Sequence, residues 1–339
     1  MGYGVNRGHL AVAGLALAAA AVVLVSPELL GERTRAGLAG AANADPGGLW
    51  LAAGAFVAVI ACSGFAWRTV LRGCGATLGG VDACARYATG SLVNSLAPAR
   101  LGTAVRIALF SRTLDGEGRL LAAGGAGAAV GAARAVWTAA IVGAAGIAGG
   151  LPLWPAAVAA AAVLAGIVAV LVACRIRRRA GIAHVLDGFR ALGRQPARAA
   201  SLLGWTGAAA LSRLAAAAAA GHAVGLERPV AAALLIVAAV EVAAALPVTP
   251  GNLGVGAAAV ALVLTSTGAP SRDAIAAGVA FTGVETLTSI VAGALGTLGA
   301  LGLIDRPGRR RGLAVAAASA GCLVVAVAFG ATVVLPNVS

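Results

Sequence analysis

Residues 246–260 read LPVTPGNLGVGAAAV, inside a run that is otherwise apolar enough to enter a bilayer. Pro250 removes an amide donor and biases Thr249 away from helix, while Gly251 and Gly254 permit left-handed or tight backbone. At membrane depth, the peptide groups freed by such a break persist only where protein buries them or a wet cavity meets them. A helix that restarts after the turn aims its positive dipole end at that cavity, which suits an anionic group such as phosphate. The competing reading is a pair of short spans joined by an ordinary surface turn.

A second stretch has the same form. Residues 91–110 read SLVNSLAPARLGTAVRIALF, and residues 243–262 read AAALPVTPGNLGVGAAAVAL. Both contain P-x-x-L-G, as Pro98, Leu101, Gly102 and as Pro250, Leu253, Gly254. Two broken elements of like sequence entering from opposite faces would form an inverted repeat, and such repeats place binding sites near the bilayer midplane.

The rest of the chain sets these breaks in a membrane. Of 339 residues, 60% are hydrophobic and 11% charged, with a mean hydropathy of +0.95. That composition belongs to a polytopic membrane protein, all-α, rather than to a soluble enzyme. Alanine and glycine carry much of the apolar content and allow close helix approach in lipid. All 25 basic residues are arginines, most of them between apolar runs, so the net charge of +13 reads as membrane orientation and not as a nucleic-acid footprint. Cys62, Cys74, Cys84, Cys174 and Cys322 show no paired spacing, and His9, His184 and His222 are dispersed. Neither a metal nor another cofactor is implied.

Full spans are predicted near 9–26, 49–67, 120–148, 152–174, 199–222, 275–303 and 313–335, with interrupted hairpins at 83–110 and 230–267. The first run is read as an uncleaved span rather than a signal peptide. Residues 1–339 then form a single integral membrane domain of seven full spans plus two re-entrant or short-helix hairpins. Orientation follows from the arginines. Placing the runs Arg175–Arg179 and Arg306–Arg311 in the cytoplasm leaves sixteen arginines inside against four outside, namely Arg33, Arg35, Arg228 and Arg272. The N-terminus is then cytoplasmic and the C-terminus external, in a multi-pass cell-membrane protein. Residues 181–194 have helical amphipathic spacing through Ile182, Val185, Leu186, Phe189 and Leu192. They fit either an interfacial helix or a loop helix packed on the bundle.

Charges within apolar runs are the second functional signal, since intramembrane ions pair or line a cavity. Arg134, Arg213, Glu241 and Glu285 are such residues, and Arg213 is expected near Glu241 or Glu285. Arg100 and Arg106, six residues apart around the first break, could converge on one phosphate through arginine's fork. Asn252 holds the place of Arg100 in the second break, either to bond a headgroup or to stabilise its own turn. The alternative for the charges is a structural ion pair between helices, and for Arg100 snorkelling from a shallow tip.

At these two stretches the chain resembles the flippase-like family, also described as the lysylphosphatidylglycerol synthetase transmembrane region. LAPARLGTAVRIALF (96–110) is similar to the family's Pro-x-x-x-Gly-Glu-x-x-Arg pattern, and LPVTPGNLGVGAAAV (246–260) to its Pro-Gly-Gly-x-Gly-x-x-Glu pattern. Pro98, Gly102, Arg106, Pro250, Gly251 and Gly254 match, whereas Thr103 and Ala257 stand where the family carries glutamates. The resemblance implies membrane translocation of a phospholipid or polyprenyl-phosphate-linked lipid, without the fused cytoplasmic synthetase domain of some members. The implied partners are lipids with anionic headgroups, with a homo-oligomer or a separate lipid-modifying enzyme also open. An integral membrane transferase acting on lipid-linked substrates is the alternative. Asp115, Glu117 and Asp187 would be its cytoplasmic carboxylates, though they lack paired-carboxylate spacing.

Overall fold

The protein is described by a computed structural model covering residues 32–96, 101–116, 118–147, 189, 192–244 and 253–300. The expected spans at 9–26, 152–174 and 313–335 lie outside these residues, as does most of 181–194. We label the helices α1 (Glu32–Ala42), α2 (Pro46–Gly73), α3 (Gly80–Leu96), α4 (Leu101–Ser111), α5 (Arg119–Ile147), α6 (Pro196–Ala223), α7 (Pro229–Ala243), α8 (Leu253–Ser266) and α9 (Ser271–Ala300). Helices α2, α5, α6 and α9 are long and apolar enough to cross a membrane. The 28 residues of α2 reach about 42 Å at 1.5 Å per residue, more than a hydrocarbon core of about 30 Å. The interrupted regions are paired shorter helices of 17 and 11 residues (α3, α4) and of 15 and 14 residues (α7, α8). Their second members start at Leu101 and Leu253, the leucines of the two P-x-x-L-G stretches. Helix α1, which lacks a hydrophobic periodicity, is not foreseen by the sequence reading. It rests on α9 where Gly37 meets Ile275 and Gly40 meets Ala276.

The chain repeats its punctuation. Helices α2 and α6 begin at residues 46 and 196, α3 and α7 at 80 and 229, α4 and α8 at 101 and 253, and α5 and α9 at 119 and 271. The offset therefore stays between 149 and 152 residues. Pro46 and Pro196 both open a long helix, where the missing N–H is no loss. Gly75 (φ +94°) and Gly225 (φ +83°) close the same two helices in the left-handed region. The matching caps are completed by Ala76 N–H donating to Leu71 O and Leu226 N–H to Gly221 O, each at 3.0 Å. Gly116 (φ +90°) and Gly268 (φ +95°) likewise turn the chain between α4 and α5 and between α8 and α9.

Packing follows the same correspondence. The α2–α3, α3–α4, α4–α5 and α2–α5 contacts have counterparts in α6–α7, α7–α8, α8–α9 and α6–α9. Likewise, α2–α9 and α3–α9 answer to α5–α6 and α5–α7. Helices α2 and α6 make the most extensive contact and run antiparallel. Asp45 N–H donates to Ala223 O at 2.8 Å, Gly48 abuts Ala219 and Ala223, and the Phe65 and Trp205 rings stack at 4.8 Å.

That antiparallel pairing fixes which elements share an end of the bundle. Trp67, near the end of α2, stacks on Phe110 of α4 at 4.6 Å and covers Gly127 of α5. Both open ends of the α3–α4 pair therefore sit beside the α2 C-terminus, together with Arg68, Arg72, Arg112, Arg119, Arg194 and Arg198. The α7–α8 pair opens at the other end, where Gly221 meets Leu226 and Pro229, and Ala44, Leu264 and Ala274 share one core. Two apolar cores result. An upper core, at the α2 N-terminal end, gathers Phe56, Val142, Ala216, Ile236, Val260 and Phe281. A lower one gathers Trp67, Leu71, Tyr87, Phe110, Ala126 and Leu202, with Phe189 and Leu192 packed against it.

The break glycines differ from their sequence expectation. Gly102 and Gly254 both lie within helix, without positive φ. Gly102 serves close approach instead: a Cβ there would run into Gly90 O and the Asn94 side chain. Gly254 has open space at that point. Gly102→Ala should therefore destabilise the protein by about 1–3 kcal/mol through overpacking. Gly254→Ala should be neutral or stabilise it by up to about 1 kcal/mol through helix propensity. Melting temperatures of the two variants in one detergent check the contrast.

Candidate functional site

Four charges predicted to be intramembrane meet between the two cores. The Arg134 guanidinium on α5 donates from Nη2 to Glu241 Oε1 on α7 at 2.7 Å. Arg213 on α6 lies between two carboxylates. Its Nη2 is 2.8 Å from Glu285 Oε1 and 3.0 Å from Oε2, while its Nε is 3.6 Å from Glu241 Oε1. Glu241 is thus shared, and the ion pairs run Arg134–Glu241–Arg213–Glu285 across four helices. Phe281 of α9 lies under the Arg213 guanidinium, 5.8 Å from its ring centre. The planar fork meets the two acids with separate N–H groups, Nη2 toward Glu285 and Nε toward Glu241. Arg134, Arg213 and Glu285 each stand near the middle of a long helix, where α5 and α6 pass from the lower core to the upper.

A second cluster lies on the first hairpin. Arg106 of α4 stacks over the Tyr87 ring, 4.1 Å from its centre, and donates from Nη2 to Ser91 Oγ at 2.9 Å. Its Nε is 3.4 Å from the Tyr87 carbonyl. Gly90 makes room for the Arg106 stem, since a Cβ there would meet the Arg106 side chain. The Tyr87 hydroxyl is coupled electrostatically to Ser63 on α2 and to Arg106, Arg134 and Arg213. The two clusters therefore belong to one charged layer. Stacking uses the face of the Arg106 guanidinium and leaves edge N–H groups for acceptors.

Tyr87, Ser63, Ser91 and Gly90 were not singled out from the sequence. A tyrosine among small residues on an interrupted helix was the one available signal for them. Of the predicted contact residues, Gly102 and Arg106 come together on the α3–α4 pair, and Gly254 lies exposed in the first turn of α8. Pro98, Arg100, Pro250, Gly251 and Asn252 lie outside the described residues. Asp115 sits in the exposed turn after α4, and Glu117 and Asp187 are outside the described residues. Among the described residues no group of three His, Cys, Asp or Glu side chains could hold a metal ion.

Residues 11–293 match the family described as the lysylphosphatidylglycerol synthase transmembrane region. The chain belongs to this family. The match spans both pairs of shorter helices and the whole charged layer. Where the family pattern has acidic residues, this member has Thr103, exposed on α4, and Ala257, whose backbone is pressed against Gly278 of α9. The carboxylates of this member's interior are instead Glu241 and Glu285. No curated protein and no solved structure matches the chain.

The shared acid makes the layer cooperative. Arg213→Met would take the cation from Glu285 and leave Glu241 to Arg134 alone, and breaking a buried pair in this way costs about 3–5 kcal/mol. The melting temperature should fall well below that of a neutral surface variant. An unchanged value would show that the layer contributes nothing to holding α6, α7 and α9 together.

Proposed function

We propose that the protein translocates a lipid with a phosphate-bearing headgroup, a phospholipid or a polyprenyl-phosphate-linked lipid, between the leaflets of the cell membrane. The observation that carries this reading is the pair of broken-helix elements opening at opposite ends of the bundle, with an arginine-rich layer between them. Membership in a family named for a lipid-handling transmembrane region supports it. In this reading the two halves, α2–α5 and α6–α9, are an inverted repeat, and each broken pair is a re-entrant hairpin. The constant offset, the matched caps and the antiparallel α2–α6 contact support that relation.

The mechanism uses few parts. Half-helices α4 and α8 direct their N-terminal amides toward the midplane, where they favour an anion. Arg106 on the first hairpin and the neighbouring arginines supply charge-assisted hydrogen bonds to a phosphate, while the lipid tails stay in hydrocarbon. Rocking one half against the other would expose the layer alternately to each leaflet. In this reading the end that gathers the six arginines is cytoplasmic, with the N-terminus inside and the C-terminus outside, and the positive-inside rule supports it.

Leaflet exchange of labelled phosphatidylglycerol in vesicles containing the purified chain tests the activity. Arg106→Ala should slow exchange by roughly tenfold or more, the loss of one charge-assisted contact. Exchange no faster than in empty vesicles with the wild-type chain would refute the reading. The topology has its own test. In a cysteine-free background, Arg100→Cys and Asn252→Cys should be labelled by impermeant reagents from opposite sides of the membrane. Labelling of both from one side would end the inverted-repeat assignment.

A further inference from the structure

Arg134 differs from its partners in accessibility. The side chains of Arg213, Glu241 and Glu285 are 12%, 14% and 28% exposed, and that of Arg134 is 50% exposed. Its place on the helix does not explain this. Arg134 shares a stripe of α5 with buried Ile141 and Ala145, seven and eleven residues further on. The exposed residues Ala132 and Val136 are each two positions away, about 200° round the helix. One turn earlier, Gly131 has nothing within 4 Å of where a Cβ would sit. Arg134 therefore borders open space at the seam of the two cores while it holds Glu241. A guanidinium cannot face bare hydrocarbon cheaply, so this open side takes water or an anion.

The ion pairs around it permit an exchange. Among the described residues Arg134 pairs with Glu241, whereas Glu241 has Arg213 as well, and Arg213 has Glu285. An anion that displaced Glu241 from Arg134 would leave Glu241 beside Arg213, and no charge would be stranded. The reverse exchange, at Arg213, would part it from two acids. The described interior charges, Arg106, Arg134 and Arg213 against Glu241 and Glu285, already sum to an excess of one positive charge.

We propose that Arg134 is the residue that receives the headgroup phosphate, and that Glu241 is a resident counter-ion which the phosphate displaces. The inference deepens the translocation reading and rests on it for the identity of the ligand as a lipid. The phosphate takes the guanidinium edge that Glu241 holds, and Glu241 returns when the phosphate leaves. The carboxylate thus limits how tightly the site holds its load, as a carrier site requires. Glu241 acts through Arg134 and is a positioning residue.

Binding to the detergent-purified full chain tests this without requiring transport. Dioctanoyl phosphatidylglycerol is titrated against dioctanoylglycerol, which has the tails without the phosphate, and against inorganic phosphate. Trp137, one turn beyond Arg134 and donating to Leu203 O at 3.1 Å, gives a fluorescence readout. The phosphatidylglycerol should bind and the diacylglycerol should not. Arg134→Gln should weaken phosphatidylglycerol about tenfold or more, and Arg134→Lys, which keeps the charge and loses the fork, by less. Glu241→Gln, isosteric and neutral, should tighten it severalfold, an outcome that a merely structural ion pair would not give. Equal affinity for inorganic phosphate would assign the same site to the free anion. Unchanged binding in Arg134→Gln and Arg134→Lys, or weakened or unchanged binding in Glu241→Gln, would overturn the proposal. If the expected pattern appears without leaflet exchange by the wild-type chain, translocation fails and the phosphate site stands. If exchange persists with binding indifferent to Arg134, this inference alone fails.

Discussion

Arg213, held between two carboxylates at mid-span, is the constraint around which the rest of the bundle is arranged. An arginine at that depth is costly, and only partners from separate helices offset the cost. Glu285 lies on α9 and Glu241 on α7, so placing Arg213 fixes the relative height of three helices at once. Glu241 then brings in Arg134 and with it α5. Apolar packing between alanines has little directional preference, and ion pairs supply the register that the alanines lack.

The charged layer divides the interior without dividing the molecule. Above it, alanines of α6, α7 and α9 close around Phe56 and Phe281, whose ring centres are 5.2 Å apart. Below it, Trp67, Phe110 and Tyr87 fill the space beside the first hairpin. Helices α2–α5 and α6–α9 share their punctuation and differ in chemistry. Among the described residues of the interior layer the first group contributes Arg106 and Arg134, while Arg213 and both acids come from the second. The Arg134–Glu241 pair joins the two halves by charge.

Much of this was legible in the sequence. Proline and glycine near residues 98–102 and 250–254 marked the breaks, because their backbone chemistry is local and acts wherever they stand. Four of the seven expected spans, those of α2, α5, α6 and α9, were read from apolar length for the same reason, and the choice of charged residues followed from the cost of placing them in lipid. The partner of Arg213 stayed open because helix order does not fix azimuth, and the structure gives it both candidates. The Arg106–Tyr87–Ser91 cluster was harder to foresee, since it depends on Gly90 letting two helices touch. Helix α1 was hidden because it packs through Gly37 and Gly40 rather than through an apolar stripe. The recurrence of Gly75 at 225 and of Gly116 at 268 was present in the letters, but single glycines gain meaning only once their φ angles are known.

Helix α9 touches both broken elements through glycine. Gly278 rests on the backbone of Ala257 in α8, Gly293 on Leu92 and Ala88, and Gly296 on the backbone of Ala85 in α3. Such contacts use the small residue to hold the helix axes close together. One stiff rod thus sits against both broken elements, and a displacement of the rod at one of them is carried to the other by a single piece of backbone.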